Sequence, residues 1–316
     1  MPNRKRKPIP LAPKPAIMRS RKKARQVTTL FHKLTRERDH ALAQKNTAEV
    51  TRLDRQLEEM GGREEYQRAS QLSTSFHSTS KWVIGGLARF GWLHGIPVVE
   101  TTKKDGDEGP QKVGKKGKKR RRPTRLLEVG AINAELLDAA EQKEVADGNA
   151  VAKPKYNLSV RAIDIHSMDK RIEEQDFLKI PFASSVTEER YDVIVCSMVL
   201  NCVTTPMDRG KMCARLYHHL RPGGRLFLTI PKFCLTKSAF LTPELFLELL
   251  GEKGVGFEIE ETKESPRVSF FICRRPEEPR TATLNKLWTK QIVRRKGKKF
   301  PNQFSVILSE SYILDS

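Results

Sequence analysis

Residues 191–230 read YDVIVCSMVLNCVTTPMDRGKMCARLYHHLRPGGRLFLTI. The segment 191–198 is an almost unbroken apolar run, as expected for a strand buried on both faces. Residues 207–220 then carry a helical pattern, closed by the turn formers Pro222, Gly223 and Gly224. A second apolar run over 225–230 follows at once. Strand, helix, turn and strand in immediate succession form one half of a parallel α/β sheet.

The same alternation extends both ways. Upstream, 125–130 (RLLEVG) predicts a first strand, 134–146 a helix, 160–165 (VRAIDI) a second strand and 172–177 a short third. The polar stretch 147–157 between them reads as a loop. Downstream, 243–253 predicts a helix stopped by Gly254. The segments 257–262 and 268–274 then follow as two strands with no helix between them, which implies an antiparallel hairpin at one edge. Parallel strands closed by such a hairpin predict the Rossmann-like class I methyltransferase sheet rather than its dehydrogenase variant.

Ligands of such sheets bind beyond the carboxyl ends of the strands. The first strand ends at Glu128-Val129-Gly130, and a glycine there lets the backbone turn where a Cβ would collide. Only the first glycine of an E-x-G-x-G-x-G pattern is present, and a strand-ending glycine without a ligand reads the same way. Asp164 lies near the end of the second strand among apolar neighbours, where an acid accepts hydrogen bonds from two ribose hydroxyls. Beyond the third strand, Gln175-Asp176-Phe177 sets a polar side chain beside an aromatic one, as an adenine pocket requires and as a surface loop also allows. The fourth strand opens onto Ser197 and Asn201. Either can contact an adenine edge, and either can equally cap the following helix.

The remaining sequence is strongly polar. Charged residues make up 31% of the 316 residues and apolar ones 38%, so part of the chain is expected to pack no core. Residues 1–25 hold ten Lys/Arg and no acid, 103–125 hold eleven against three acids, and 280–299 hold eight and no acid. These stretches carry +26 against +21 for the whole chain, leaving the rest at −5. Basicity concentrated on appendages favours a polyanion, nucleic acid above all, over a generally basic surface. Residues 28–60 contain no Gly or Pro and predict one long, mostly exposed helix stopped by Gly61-Gly62. A second helix is predicted over 64–87, with Phe90, Trp92, Leu93 and Ile96 packing on the main domain. The five cysteines form no CxxC pair and read as reduced core thiols of an intracellular protein without zinc. No apolar run approaches a membrane-spanning length.

The segments LLEVG, AIDIHS, QDF and DVIVCSMVLNCV, followed by DRGKMCARLYHHLRPGGRLFLTIP, resemble in series the fungal 25S rRNA adenine-N1 methyltransferase family. The run Tyr66-Gln67-Arg68-Ala69-Ser70 and the segment KFPNQFSVIL (299–308) are similar to elements at the two ends of that family's pattern. The resemblance covers about residues 60–310. It implies S-adenosylmethionine as cofactor, with the family's cofactor positions falling on Gly130 and Asp164; Glu128, Asp176 and Phe177 complete the candidate cofactor site. Ser197 and Asn201 are the candidates for holding a substrate adenine. It also implies large-subunit rRNA within a pre-ribosomal particle as partner, and a nucleolar location.

The layout expected is a disordered basic arm over 1–27, a helical extension over 28–100, a disordered basic linker over 101–124, the methyltransferase domain over 125–275, and a basic C-terminal extension with a closing segment over 276–316. No metal or membrane partner is expected, and a monomer is the simplest assembly. Two other functions fit the motifs. An S-adenosylmethionine sensor, which an animal branch resembles, binds cofactor without transferring methyl; an RNA-binding assembly factor has lost the cofactor. Cofactor binding and methyl transfer to rRNA separate the three.

Overall fold

The computed structural model describes residues 20–74, 79–98, 120–143, 154–182, 190–278 and 286–314. The chain divides into two compact units, Met1–His77 and Ser78–Ser316.

The first unit is helical. Helices α1 (Arg21–Ala43), α2 (Thr47–Glu59) and α3 (Gly62–Thr74) pack around Leu34, Ala41 and Leu53, with the Phe31 ring stacked on Tyr66 at 4.4 Å. Helix α1 starts inside the stretch expected to be a disordered arm. Ser20 caps it, accepting from the Lys23 N–H, and the Lys and Arg residues that follow are themselves good helix formers. Residues 1–19 of that arm lie outside the described residues. The single helix expected over 28–60 is two. Lys45 turns the chain at φ +57°, and Asn46 accepts from the Glu49 N–H to begin α2, a capping pattern that a search for Gly and Pro overlooks. The helix expected over 64–87 is likewise divided into α3 and α4 (Thr79–Arg89), with 75–78 outside the described residues.

Helix α4 belongs to the second unit, as do 90–98, so the expected boundary near residue 100 falls instead near residue 77. The pair β1 (Ile96–Pro97) and β2 (Arg121–Arg122) is followed by β3 (Thr124–Val129), α5 (Glu135–Glu141), β4 (Leu158–Asp164), β5 (Glu173–Glu174), β6 (Tyr191–Ser197) and α6 (Pro206–His218). Then come β7 (Leu220–Pro231), α7 (Phe233–Thr236), α8 (Pro243–Leu250), β8 (Glu258–Glu264), β9 (Val268–Arg274) and α9 (Glu310–Leu314). The main sheet has the order β5-β4-β3-β6-β7-β9-β8, parallel except for β9. This is the predicted doubly wound sheet with its closing hairpin.

Side chains alternate between two cores, as strands buried on both faces require. Ile194 and Cys196 of β6 face a core built with Met212, Phe246 and Leu249. Val193 and Val195 face Val83 and Leu87 of α4 together with Phe227. Phe227 is fully buried, a contribution of roughly 1.5–3 kcal/mol for a side chain of this size.

Three expectations are corrected in this unit. The third strand, expected over 172–177, is only Glu173–Glu174, because Asp176 accepts from the Leu178 N–H and starts a 3-10 turn over Phe177–Lys179. The linker expected to run to residue 124 ends earlier; its 101–119 part is outside the described residues. Arg122 holds the buried Asp192 carboxylate with two bonds of 2.6 and 2.7 Å, and Arg121 binds the carbonyls of Gly91 and Gly95, so these basic residues are structural clamps. The basic extension expected over 276–316 is part of the fold from Lys286 onward: Phe304, Val306 and Leu308 are buried in the main core.

Candidate active site

The carboxyl ends of β3, β4, β6 and β7 bring most of the sequence candidates to one edge of the sheet. Gly130 follows β3 at φ +72°, and its N–H donates to the Ile163 carbonyl of β4 at 2.8 Å. A Cβ here would lie 2.2 Å from Val199 Cγ2, so the glycine lets the loop after β3 meet the loop after β6. Asp164 ends β4. Its Oδ1 accepts from the His166 N–H at 2.9 Å and its carbonyl from the Gln175 N–H at 2.8 Å, which fixes carboxylate and backbone together. Just beyond it, Ile165 and Met168 are apolar yet 63% and 52% exposed.

Glu128 lies on the α4 face of β3, and its Oε2 is buried without a hydrogen-bond partner. Burial, with the Glu135 carboxylate nearby, pushes its pKa up from 4.5 to about 8. A folded pKa above the unfolded one means that the native state keeps a proton the unfolded chain gives up. Stability therefore falls as pH rises between these two values. Glu128→Gln is expected to flatten that slope and, near pH 9, to melt a few degrees above the wild type, roughly 2–4 °C per kcal/mol recovered for a unit of this size. Thermal melts across the pH range check it; a slope identical to the wild type would mean that Glu128 is already ionised at low pH.

Asp176 and Phe177 are placed differently from one another. Asp176 sits two residues beyond β5 as the cap of the 3-10 turn, with Lys179 at 3.8 Å. The Phe177 ring is 3% exposed and packs 5.4 Å from the His219 ring, near the opposite end of the sheet where His219 precedes β7. It supports the loop from below instead of presenting a ring to a ligand.

Past β6 the chain turns at Met198, which holds φ +60°, an uncommon and costly conformation for a residue with a Cβ. The Ser197 hydroxyl lies 2.9 Å from both the Thr79 and the Thr229 hydroxyls, and Thr229 Oγ1 also accepts from the Met198 N–H. This chain of hydroxyls locks the start of the strained loop. Asn201 donates to Cys202 Sγ at 3.4 Å, and its buried Oδ1 has no partner. Neither Ser197 nor Asn201 caps the next helix. Thr205 does, accepting from the Asp208 N–H at 3.0 Å ahead of Pro206.

Sequence reading missed Thr79, Thr229 and Arg209. Thr229 was signalled as the one polar residue within a buried run, whereas Thr79 carries no local signal. Arg209 gives its guanidinium to the carbonyls of Val203, Thr204 and Ser305, tying the loop after β6 to the C-terminal segment. Among the described residues no cluster of His, Cys, Asp and Glu is arranged to hold a metal ion, and no helix is long and apolar enough to cross a membrane.

The strand order and the single reversed strand define a Rossmann-like methyltransferase, the class that takes its methyl group from S-adenosylmethionine. A family model described as 25S rRNA (adenine(2142)-N(1))-methyltransferase, Bmt2, matches residues 51–306, and the chain belongs to that family.

A Saccharomyces cerevisiae 25S rRNA (adenine(2142)-N(1))-methyltransferase is 33% identical over 117 residues, 37% of this chain and 34% of that protein; the match thus spans about a third of that relative. A Schizosaccharomyces pombe 25S rRNA adenine-N(1) methyltransferase is 23% identical over 248 residues, 77% of each chain. Among solved structures, the 1,6-didemethyltoxoflavin-N1-methyltransferase of Burkholderia thailandensis is 16% identical, with a TM-score of 0.36 over 49% of this chain and 72% of that one.

Proposed function

We propose that the chain transfers a methyl group from S-adenosylmethionine to N1 of an adenine in large-subunit rRNA, during ribosome assembly and in the nucleolus. Family membership over residues 51–306 carries this reading, because the match includes both the sheet and the C-terminal segment tied to it. The buried, unpartnered Glu128 Oε2 suits a cofactor that brings N–H donors. Asp164, already oriented by the His166 N–H, suits a ribose diol. When bound, the cofactor supplies an electrophilic methyl on a sulfonium.

Neutral adenine N1 has a lone pair and no proton, so it would need no general base from the protein to accept that methyl. The protein's share is placement and exclusion of water. An acceptor such as Asn201 Oδ1 fits the exocyclic amino group beside N1 and leaves the N1 lone pair unengaged. N1 lies on the Watson–Crick edge, so the target base must be unpaired or turned out of its helix.

Methylation mapping of large-subunit rRNA with and without the gene tests the activity, and unchanged adenine methylation would refute it. Cofactor placement has its own test. Asp164→Ala should weaken S-adenosylmethionine binding by about 10- to 100-fold for each ribose bond lost, since a bond to a charged acceptor is worth roughly 1.5–3 kcal/mol. Calorimetry on a folded variant reads it, and unchanged affinity would move the ribose elsewhere. The same measurement on the wild type separates an enzyme or a sensor from an RNA-binding assembly factor without cofactor.

A further inference from the structure

Helix α7 begins immediately after β7, at the sheet edge that carries the candidate site. Its first residue, Phe233, is 59% exposed, although its neighbours Cys234 and Leu235 are buried. Ser197 and Thr229 are partners in the β6–β7 register. Asn201 and Phe233 each follow their strand's partner by four residues, so the orphaned amide oxygen and the exposed ring stand beyond the ends of two adjacent strands.

The same short helix is clasped by the basic C-terminal segment. Arg295 donates to four carbonyls, those of Leu235, Thr236, Ser238 and Leu241, and its guanidinium lies 4.4 Å over the Phe300 ring. The backbone N–H groups of Arg294 and Arg295 both donate to the Ala239 carbonyl, and the Asn302 N–H to the Lys237 carbonyl. Arg295 is thus a pin. The charges around it, on Arg294, Lys296, Lys298 and Lys299, are exposed, and no ion pair involves them among the described residues. From Lys286 to Ser309 the chain has seven Lys/Arg and no acid.

Four free cations held on a fixed strap beside an exposed ring are unlike a solvated tail. A tail needs no pin, and an aromatic side chain left in water beside like charges has nothing to gain there. We infer that α7 and the strap over residues 294–299 form the edge by which RNA enters the site. The strap takes the phosphates, and the Phe233 ring stacks on an unpaired base. The charges give affinity and register without reading sequence, while stacking tolerates any base because each has a π face. The inference rests on the proposed rRNA substrate and adds where the RNA lies.

Binding of the full-length protein to single-stranded oligoadenylate, and to an abasic ribose-phosphate chain of the same length, tests it. Phe233→Ala should weaken oligoadenylate binding about 5- to 100-fold, the span for one lost base stack. It should leave abasic binding, the salt slope and the melting temperature unchanged, and Phe233→Trp should restore affinity. Replacing Arg294, Lys296, Lys298 and Lys299 by Gln, with Arg295 retained, should reduce the salt slope by about 3, as expected for four fewer phosphate contacts on a single strand. Phe233→Ala that binds both chains like the wild type overturns the stacking, and an unchanged salt slope overturns the strap. A wild type that binds RNA in this manner yet methylates no adenine refutes the proposed activity and leaves this inference standing. A wild type that binds neither chain overturns it.

Discussion

Gly210→Ala is expected to release the C-terminal segment from the fold. Gly210 lies in α6, and a Cβ there would sit 1.7 Å from the Ile307 carbonyl oxygen. The clash is with backbone, so no side-chain rotation relieves it. Either α6 or the segment must move, and α6 is held by Met212, Cys213 and Leu216 in the main core. With the segment go the Ile307 N–H bond to the Pro206 carbonyl and the Arg209 bond to the Ser305 carbonyl. Phe304, Val306 and Leu308 lose their burial, and Arg209 keeps a charge with fewer acceptors. The expected cost is roughly 3–5 kcal/mol, the range for disrupted core packing with an unsatisfied buried charge. Urea unfolding measures it, and early proteolytic cleavage beyond residue 285 shows which part has come loose. A variant with wild-type stability and protease resistance would mean that the segment does not cross α6 so closely.

The sheet was legible because its strands are local. β6 and β9 are apolar runs with sharp ends, and a strand buried on both faces needs nothing else to be recognised. Residues 220–231 show the limit of that approach. Pro222, Gly223 and Gly224 were read as a turn before a strand, yet they lie within β7. The register passes from Tyr191–Leu220 to Val193–Arg225, so the turn bulges out of a ladder that resumes after it. The Gly223 N–H and the Gly224 carbonyl still pair with Arg275. Local chemistry was read correctly, and the pairing that embeds it comes from a strand fifty residues away.

The site divides along the same line. The placement of Gly130, Asp164, Ser197 and Asn201 at one edge of the sheet was legible because strand ends mark them. Phe177 was misread because a residue next to a loop can turn either to the ligand or to the core, and only the neighbour it meets, His219, decides. Thr79 was invisible: its hydroxyl meets Ser197 across 118 residues of sequence. The C-terminal strap was hidden for a different reason. Its charge density reads as a tail, while the anchor is one arginine whose acceptors are carbonyls that have no signature in sequence.

Asn201→Ala is expected to slow methyl transfer to rRNA on the order of 100-fold while leaving cofactor affinity nearly intact, the loss of an oriented hydrogen bond in a water-excluded site. The direction of the stability change makes the test decisive. Asn201 does not cap α6, since Thr205 does, and its only hydrogen bond among the described residues is a donation to a cysteine sulfur. Its Oδ1 is buried without a partner, which costs the folded protein roughly 1–3 kcal/mol of desolvation. A residue kept for the scaffold would lower the melting temperature when truncated. A residue kept for the substrate should leave the melting temperature unchanged or raise it, because the orphaned acceptor is removed. Thr205→Ala is the control: it should cost about 1 kcal/mol as a lost cap and leave single-turnover methylation close to wild type. Melting and single-turnover rates measured on the same preparations separate the outcomes. Normal turnover with a lowered melting temperature in Asn201→Ala would assign the residue to the scaffold. The substrate contact would then pass to Ser197, whose hydroxyl, although held by Thr79 and Thr229, can still make one further bond.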